Sequence, residues 1–87
     1  MSEYRFISDP GHGWLAVPYH ELLMLNIVNK ISEHSHRDGN DIYLEEDVDA
    51  LCFVDAWEQA NKKKIKLIEV TLLQEADIRK MNSFKLI

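Results

Sequence analysis

The chain is poor in the residues on which many functions depend. A single cysteine, Cys52, stands among 87 residues. Neither an intramolecular disulfide nor a cysteine-rich zinc site can form, as expected for a protein of the reducing cytoplasm. Three glycines and two prolines make no linker and no phosphate cradle, since Gly11 and Gly13 lack the following Lys-Ser/Thr pair. No run of about 18 apolar residues and no basic-then-apolar leader occurs, so neither membrane spanning nor export is expected. Bases are outnumbered, ten against fifteen acids, for a formal charge of −5. A general nucleic-acid binder needs clustered Lys and Arg against phosphate, and is not expected here. There is no Gly-x-Ser-x-Gly elbow for a serine nucleophile and no calcium-loop spacing of acids. The composition therefore calls for no cofactor and no resident metal.

What is present suits one small folded unit spanning residues 1–87. The hydrophobic fraction is 46%, ordinary for a globular domain and too high for disorder. A chain of this length buries only about 60–65% of its unfolded surface, so its stability is modest.

Periodicity divides the chain into short elements. Tyr4–Ile7 reads as a strand with its aromatics on one face, and Asp9-Pro10-Gly11 as a turn in which glycine accepts positive φ. Gly13–Val17 reads as a second strand and closes a hairpin. Pro18 suits a helix start, and Tyr19, Leu22, Leu23 and Asn26 follow at helical spacing. Residues 30–44 read as a second hairpin, Ile31–His36 leading to a turn at Asp38-Gly39-Asn40 and a return over Asp41–Leu44. With Asp47 as N-cap, Ala50, Phe53, Val54, Trp57 and Ala60 mark an amphipathic helix whose acids precede it and whose Lys62–Lys64 follow it, both matching the helix dipole. Ile65–Leu72 reads as a strand. The tail 74–87 is either a short helix over Ala76–Met81 or a loop with Phe84 packing back. The expected fold class is α+β, roughly ββαββαβ: a mostly antiparallel sheet with two helices on one face and the other face open to a partner.

Few residues could carry chemistry. Asp9 and His12 could form an acid–base pair, His titrating near neutrality. His34 and His36, two apart on a strand, would share a face and could bridge a metal, with Asp38 and Asp41 across the turn. Solvated histidines are the simpler reading, and Cys52 falls inside a helix beside core positions. Trp57 lies on the apolar stripe; Trp14 is either buried or a contact anchor. The acids are the more telling feature. Residues 41–58 hold Asp41, Glu45, Glu46, Asp47, Asp49, Asp55 and Glu58 and no Lys or Arg. Capping accounts for some, and the remainder would steer a basic partner.

Asp9-Pro-Gly-His-Gly-Trp-Leu-Ala-Val-Pro18, Lys30-Ile31-Ser32 and Tyr43-Leu-Glu-Glu-Asp-Val-Asp49, with Ile78-Arg79 and Phe84 near the end, resemble the pattern of a family of small uncharacterised proteins from phages and other mobile bacterial elements. The pattern spans most of the chain. It departs at His34-Ser35-His36, where relatives carry Tyr-Ser-Tyr, and at Val48, where relatives often carry Cys. Both departures weigh against a shared metal or thiol chemistry. The resemblance implies no activity. It implies a small cytoplasmic accessory protein that binds a host protein, as an inhibitor of a defence or nucleic-acid-processing system.

Two expectations of different class follow. The first is a non-enzymatic binding protein that engages a basic host or phage protein through Asp41, Glu45, Glu46 and Asp49, with His12 and Trp14 as contacts. The second is a small metal-dependent or acid–base enzyme centred on Asp9/His12 and His34/His36. Self-pairing into a homodimer through a free strand edge is a third reading.

Overall fold

A computed structural model of the chain describes residues 3–84. The elements are β1 (Glu3–Ser8), β2 (Gly13–Pro18), α1 (Tyr19–Met24), β3 (His36–Asp38), β4 (Asp41–Glu45), α2 (Asp49–Asn61), β5 (Lys66–Thr71) and β6 (Asn82–Ser83), with 3₁₀ turns at Val28–Lys30 and Asp77–Lys80. The strands form one sheet in the order β5-β1-β2-β4-β3-β6. Every neighbouring pair is antiparallel except β1 and β5, whose connection passes through the helices. The domain is α+β, as its patterning indicates.

Strand alternation sorts side chains onto two faces. Tyr4, Leu15, Val17, Ile42 and Leu44 point to the side carrying α1 and α2, where they enclose Leu22, Phe53 and Trp57 in the main core. Tyr4 meets the rings of Phe53 and Trp57 edge-on, at centroid distances of 5.3 and 6.3 Å. The other face is not open. Ile7, Trp14 and Tyr43 are covered by Ala76 and Ile78 of the C-terminal segment, forming a second cluster. That segment realises both readings of the tail: a 3₁₀ turn forms, and Phe84 still packs into the main core. Residues 85–87 of the expected tail lie outside the described residues.

Local chemistry explains where elements stop. After α1 the backbone of Asn26 turns left-handed (φ 59°). Asn26 N–H donates to Leu23 O and Ile27 N–H to Leu22 O, the paired bonds of a Schellman stop with asparagine in the usual glycine place. Between β3 and β4, Gly39 adopts φ 62° at the first central position of a two-residue loop, which is the requirement of a type II′ hairpin.

The second hairpin is shorter than its sequence suggests. Residues 31–35 join no strand ladder, because Ser32 N–H, Ser32 Oγ and Ser35 Oγ all donate to Asp49 Oδ2. Side-chain bonds of this kind compete with a strand ladder, and here they win. The start of α2 also differs. Val48, not Asp47, is the N-cap, and Glu45 supplies the capping carboxylate, accepting from the N–H groups of Asp47 and Val48 at 2.6 and 3.2 Å.

Candidate functional site

Four segments distant in sequence meet at the end of the sheet where β1 turns into β2. The turn contributes His12 and Gly13, the sheet Trp14 and His36, the preceding loop His34, the entry to α2 Glu45–Val48, and the C-terminal 3₁₀ turn Arg79. Together they line a surface cavity of about 520 Å³.

Asp9 braces one wall from behind. Its side chain is fully buried against Arg79, and the pair is bidentate: Nε to Oδ2 and Nη2 to Oδ1, both 2.8 Å. Oδ1 also accepts from Gly11 N–H and His12 N–H, and Oδ2 from Ala76 N–H. Two donors of the turn itself and three of the C-terminal segment thus meet on one carboxylate and clamp the two together. Gly11 stands here for room rather than for positive φ, since a Cβ would lie 2.8 Å from Arg79 Nη2. Gly13 is needed for the same reason, a Cβ there falling 2.7 Å from the Phe6 ring and 3.3 Å from Glu46 Oε2.

This geometry corrects the Asp9–His12 pairing. The Arg79 bond, against some desolvation and helped by the backbone N–H groups, holds the Asp9 carboxyl far below the usual range. Asp9 is a spent acceptor and a poor base. The same ion pair holds Arg79 protonated still more firmly.

The opposite wall is the entry to α2. Burial pushes the Glu45 carboxyl up, but the N–H groups of Asp47, Val48 and Asp49 outweigh it and hold it below its ordinary value. Glu45 is thereby committed to capping, while Glu46 and Asp47 are exposed at the cavity edge. Between the walls, the rings of His12 and His36 stand 5.9 and 6.5 Å from that of Trp14. His36 Nδ1 lies 3.1 Å from Met81 O. A carbonyl only accepts, so Nδ1 carries the proton, and in the neutral ring Nε2 is left as an acceptor.

The acids expected to act together are dispersed. Asp41 begins β4 and Glu45 ends it, about 13 Å away along the strand. Asp49 is wholly buried beneath the start of α2 and cannot touch a partner. Glu58 accepts from Ile65 N–H and pairs with Lys64. Trp14, 3% exposed, is a wall of the cavity and not a projecting anchor. His12 is exposed on its turn, as expected. His34 sits in a turn and not on a strand, yet it joins His36 in the cavity. Among the described residues, no three His, Cys, Asp or Glu side chains are grouped as a metal ion requires. Burial pushes the Cys52 thiol up, leaving it a weak nucleophile in the first turn of α2. No helix among the described residues is long and apolar enough to cross a membrane.

Arg79 is the residue that sequence reasoning missed. Its partner lies 70 positions away, and the expectation that Phe84 packs back did not bring Arg79 to Asp9.

The pair has a pH signature. Asp9 and Glu45 both titrate lower when folded than their ordinary 3.8 and 4.5. The unfolded chain therefore takes up protons first on acidification, so their contribution is complete at neutral pH and lost as pH falls below about 4. For Asp9 the loss continues into strongly acid solution. The thermal midpoint of Arg79→Gln is expected to fall less between about pH 5 and about pH 2 than that of the unaltered protein. Parallel midpoint curves would show that the ion pair adds nothing.

No protein-family model, curated protein or solved structure matches the chain.

Proposed function

We propose that this chain is a protein-binding accessory module that takes a basic side chain of its partner, Arg or Lys, into the cavity between the Asp9–Gly13 turn and the start of α2. The observation that carries this reading is the balance of uncommitted groups lining it. Arg79 is paired with Asp9 and Glu45 is tied to backbone, leaving the exposed carboxylate of Glu46, that of Asp47 beside Glu45, and the acceptor nitrogen of His36. A donor-rich, planar cation suits such a lining, and the imidazole rings offer it faces for stacking. The docking surface is thus smaller than the acidic span 41–58 and draws on only two of its acids. The resemblance to mobile-element proteins supports a host or phage protein as the partner, with inhibition of a defence or nucleic-acid-processing protein as the consequence.

Calorimetry with a short peptide carrying one arginine tests the reading. Binding is expected to weaken about tenfold in Glu46→Gln/Asp47→Asn, and also in high salt, which screens exposed charge. Equal affinity for the variant, or for a peptide with norleucine in place of arginine, would sink it.

The enzyme reading keeps one supporting observation, the presence of His12, His34 and His36 in a single cavity. Titration with zinc and manganese separates the two. Tight one-to-one binding abolished by His34→Ala would favour a metal-dependent module.

A further inference from the structure

We infer that the groove between α1 and α2 is a second binding site, one that takes a small organic ammonium ion. Both helices lie on the same face of the sheet, and between them is a surface pocket of about 240 Å³. Tyr4 of β1 and Trp57 of α2 line it, with Glu21 and Met24 of α1 and Asn61 at the end of α2. It shares no lining residue with the cavity of the proposed function.

The chemistry of the lining selects the occupant. The rings of Tyr4 and Trp57 stand 79° apart in plane with centroids separated by 6.3 Å. Rings so disposed make an aromatic corner, and their quadrupoles attract an alkylammonium head. Glu21 supplies the counter-charge. It is half-buried, its Oε1 accepts from Tyr4 O–H, and among the described residues no Lys or Arg pairs with it. A carboxylate drawn partly out of water without a counter-ion is costly, and a bound cation offsets that cost. Asn61 Nδ2 donates to Trp57 O, which leaves Oδ1 as a further acceptor in the last turn of α2, where the helix dipole is negative. No Lys or Arg lines the pocket. An anion would meet only repulsion from Glu21, and a neutral apolar molecule would leave that charge unanswered. Met24 is 78% exposed, and its flexible thioether can fold over the methyl groups of a bound ligand.

Choline and its neutral isostere 3,3-dimethylbutanol are the probes. They are titrated at about pH 8, above the ordinary range of imidazole, because His20 also lines the pocket. Nuclear magnetic resonance of the two tryptophan indole groups reads the binding. Choline is expected to move the signal of Trp57 and not that of Trp14, and to bind about tenfold more tightly than dimethylbutanol. Glu21→Gln keeps an acceptor for Tyr4 O–H and is expected to weaken choline about tenfold while circular dichroism is unchanged. Nα-acetyl-lysine amide carries an ammonium head on a side chain. Tighter binding of it than of choline would identify a partner's lysine as the source, and weaker binding a free amine. No binding of either ammonium compound would overturn the proposal. So would equal affinity for choline and its isostere, equal affinity in Glu21→Gln, or a response of Trp14 in place of Trp57.

Discussion

Trp57→Ala is expected to cost the domain about 3–5 kcal/mol, the range for truncating a buried aromatic to alanine. Stability scales at about 0.05–0.15 kcal/mol per residue, about 4–13 kcal/mol for a chain of this length, so the loss is a large share of the whole. The loss is large because of where the ring sits. Trp57 is 6% exposed on the buried face of α2, where it stands edge-on to Tyr4 of β1 and shares the main core with Phe53. Removing it leaves a hole between helix and sheet that the edge strand pair β1–β5 cannot easily collapse to fill. Urea titration followed by circular dichroism measures the effect. A change smaller than about 1 kcal/mol would mean that the helix does not depend on this ring.

Asp49→Ala is expected to be nearly as damaging, by about 3–5 kcal/mol, because hydrogen bonds to a charged acceptor contribute more than neutral ones and orphaned buried donors add a penalty. Three donors lose their acceptor at once: Ser32 N–H, Ser32 Oγ and Ser35 Oγ, at 3.0, 2.7 and 2.6 Å. Ser35 Oγ in turn accepts from Glu45 N–H, so the loosening passes to the end of β4 and the capping residue of α2. Asp49→Asn is expected to cost less, about 1–3 kcal/mol, since one oxygen can still serve all three donors. The other carboxylate oxygen has no partner among the described residues, and an amide NH₂ placed there would lack an acceptor. Hydrogen exchange at the Ser32 amide reports the network directly. Unchanged protection in Asp49→Ala would contradict its role in holding the loop.

Asp49 also shows how far the acidic pattern could be read. Glu45, Glu46, Asp47 and Asp49 look alike as a charged run ahead of a helix. Their fates differ because helix geometry and burial act on each separately: Glu45 folds back onto backbone N–H groups, Glu46 and Asp47 face solvent, and Asp49 is drawn inside by two serines from another segment. The candidate site was legible in part. His12, Trp14, His34, His36, Glu45 and Glu46 all line the cavity, but Asp41 and Asp49 do not, and the reason for grouping them, a continuous acidic face, is not what joins them.

The sequence by itself determined the local terms: the apolar period of α2, the alternation of β1, β2 and β5, and the glycine turn at residue 39. These depend on side chains within a few positions of one another, where stereochemistry and period suffice. Tertiary structure alone decided that Asp9 is bound to Arg79 across 70 residues, that the C-terminal segment covers the second face of the sheet, and that a cavity forms where the two meet. Such pairings rest on long-range closure and burial, which a charge or an apolar residue in a linear chain permits with many partners and assigns to none.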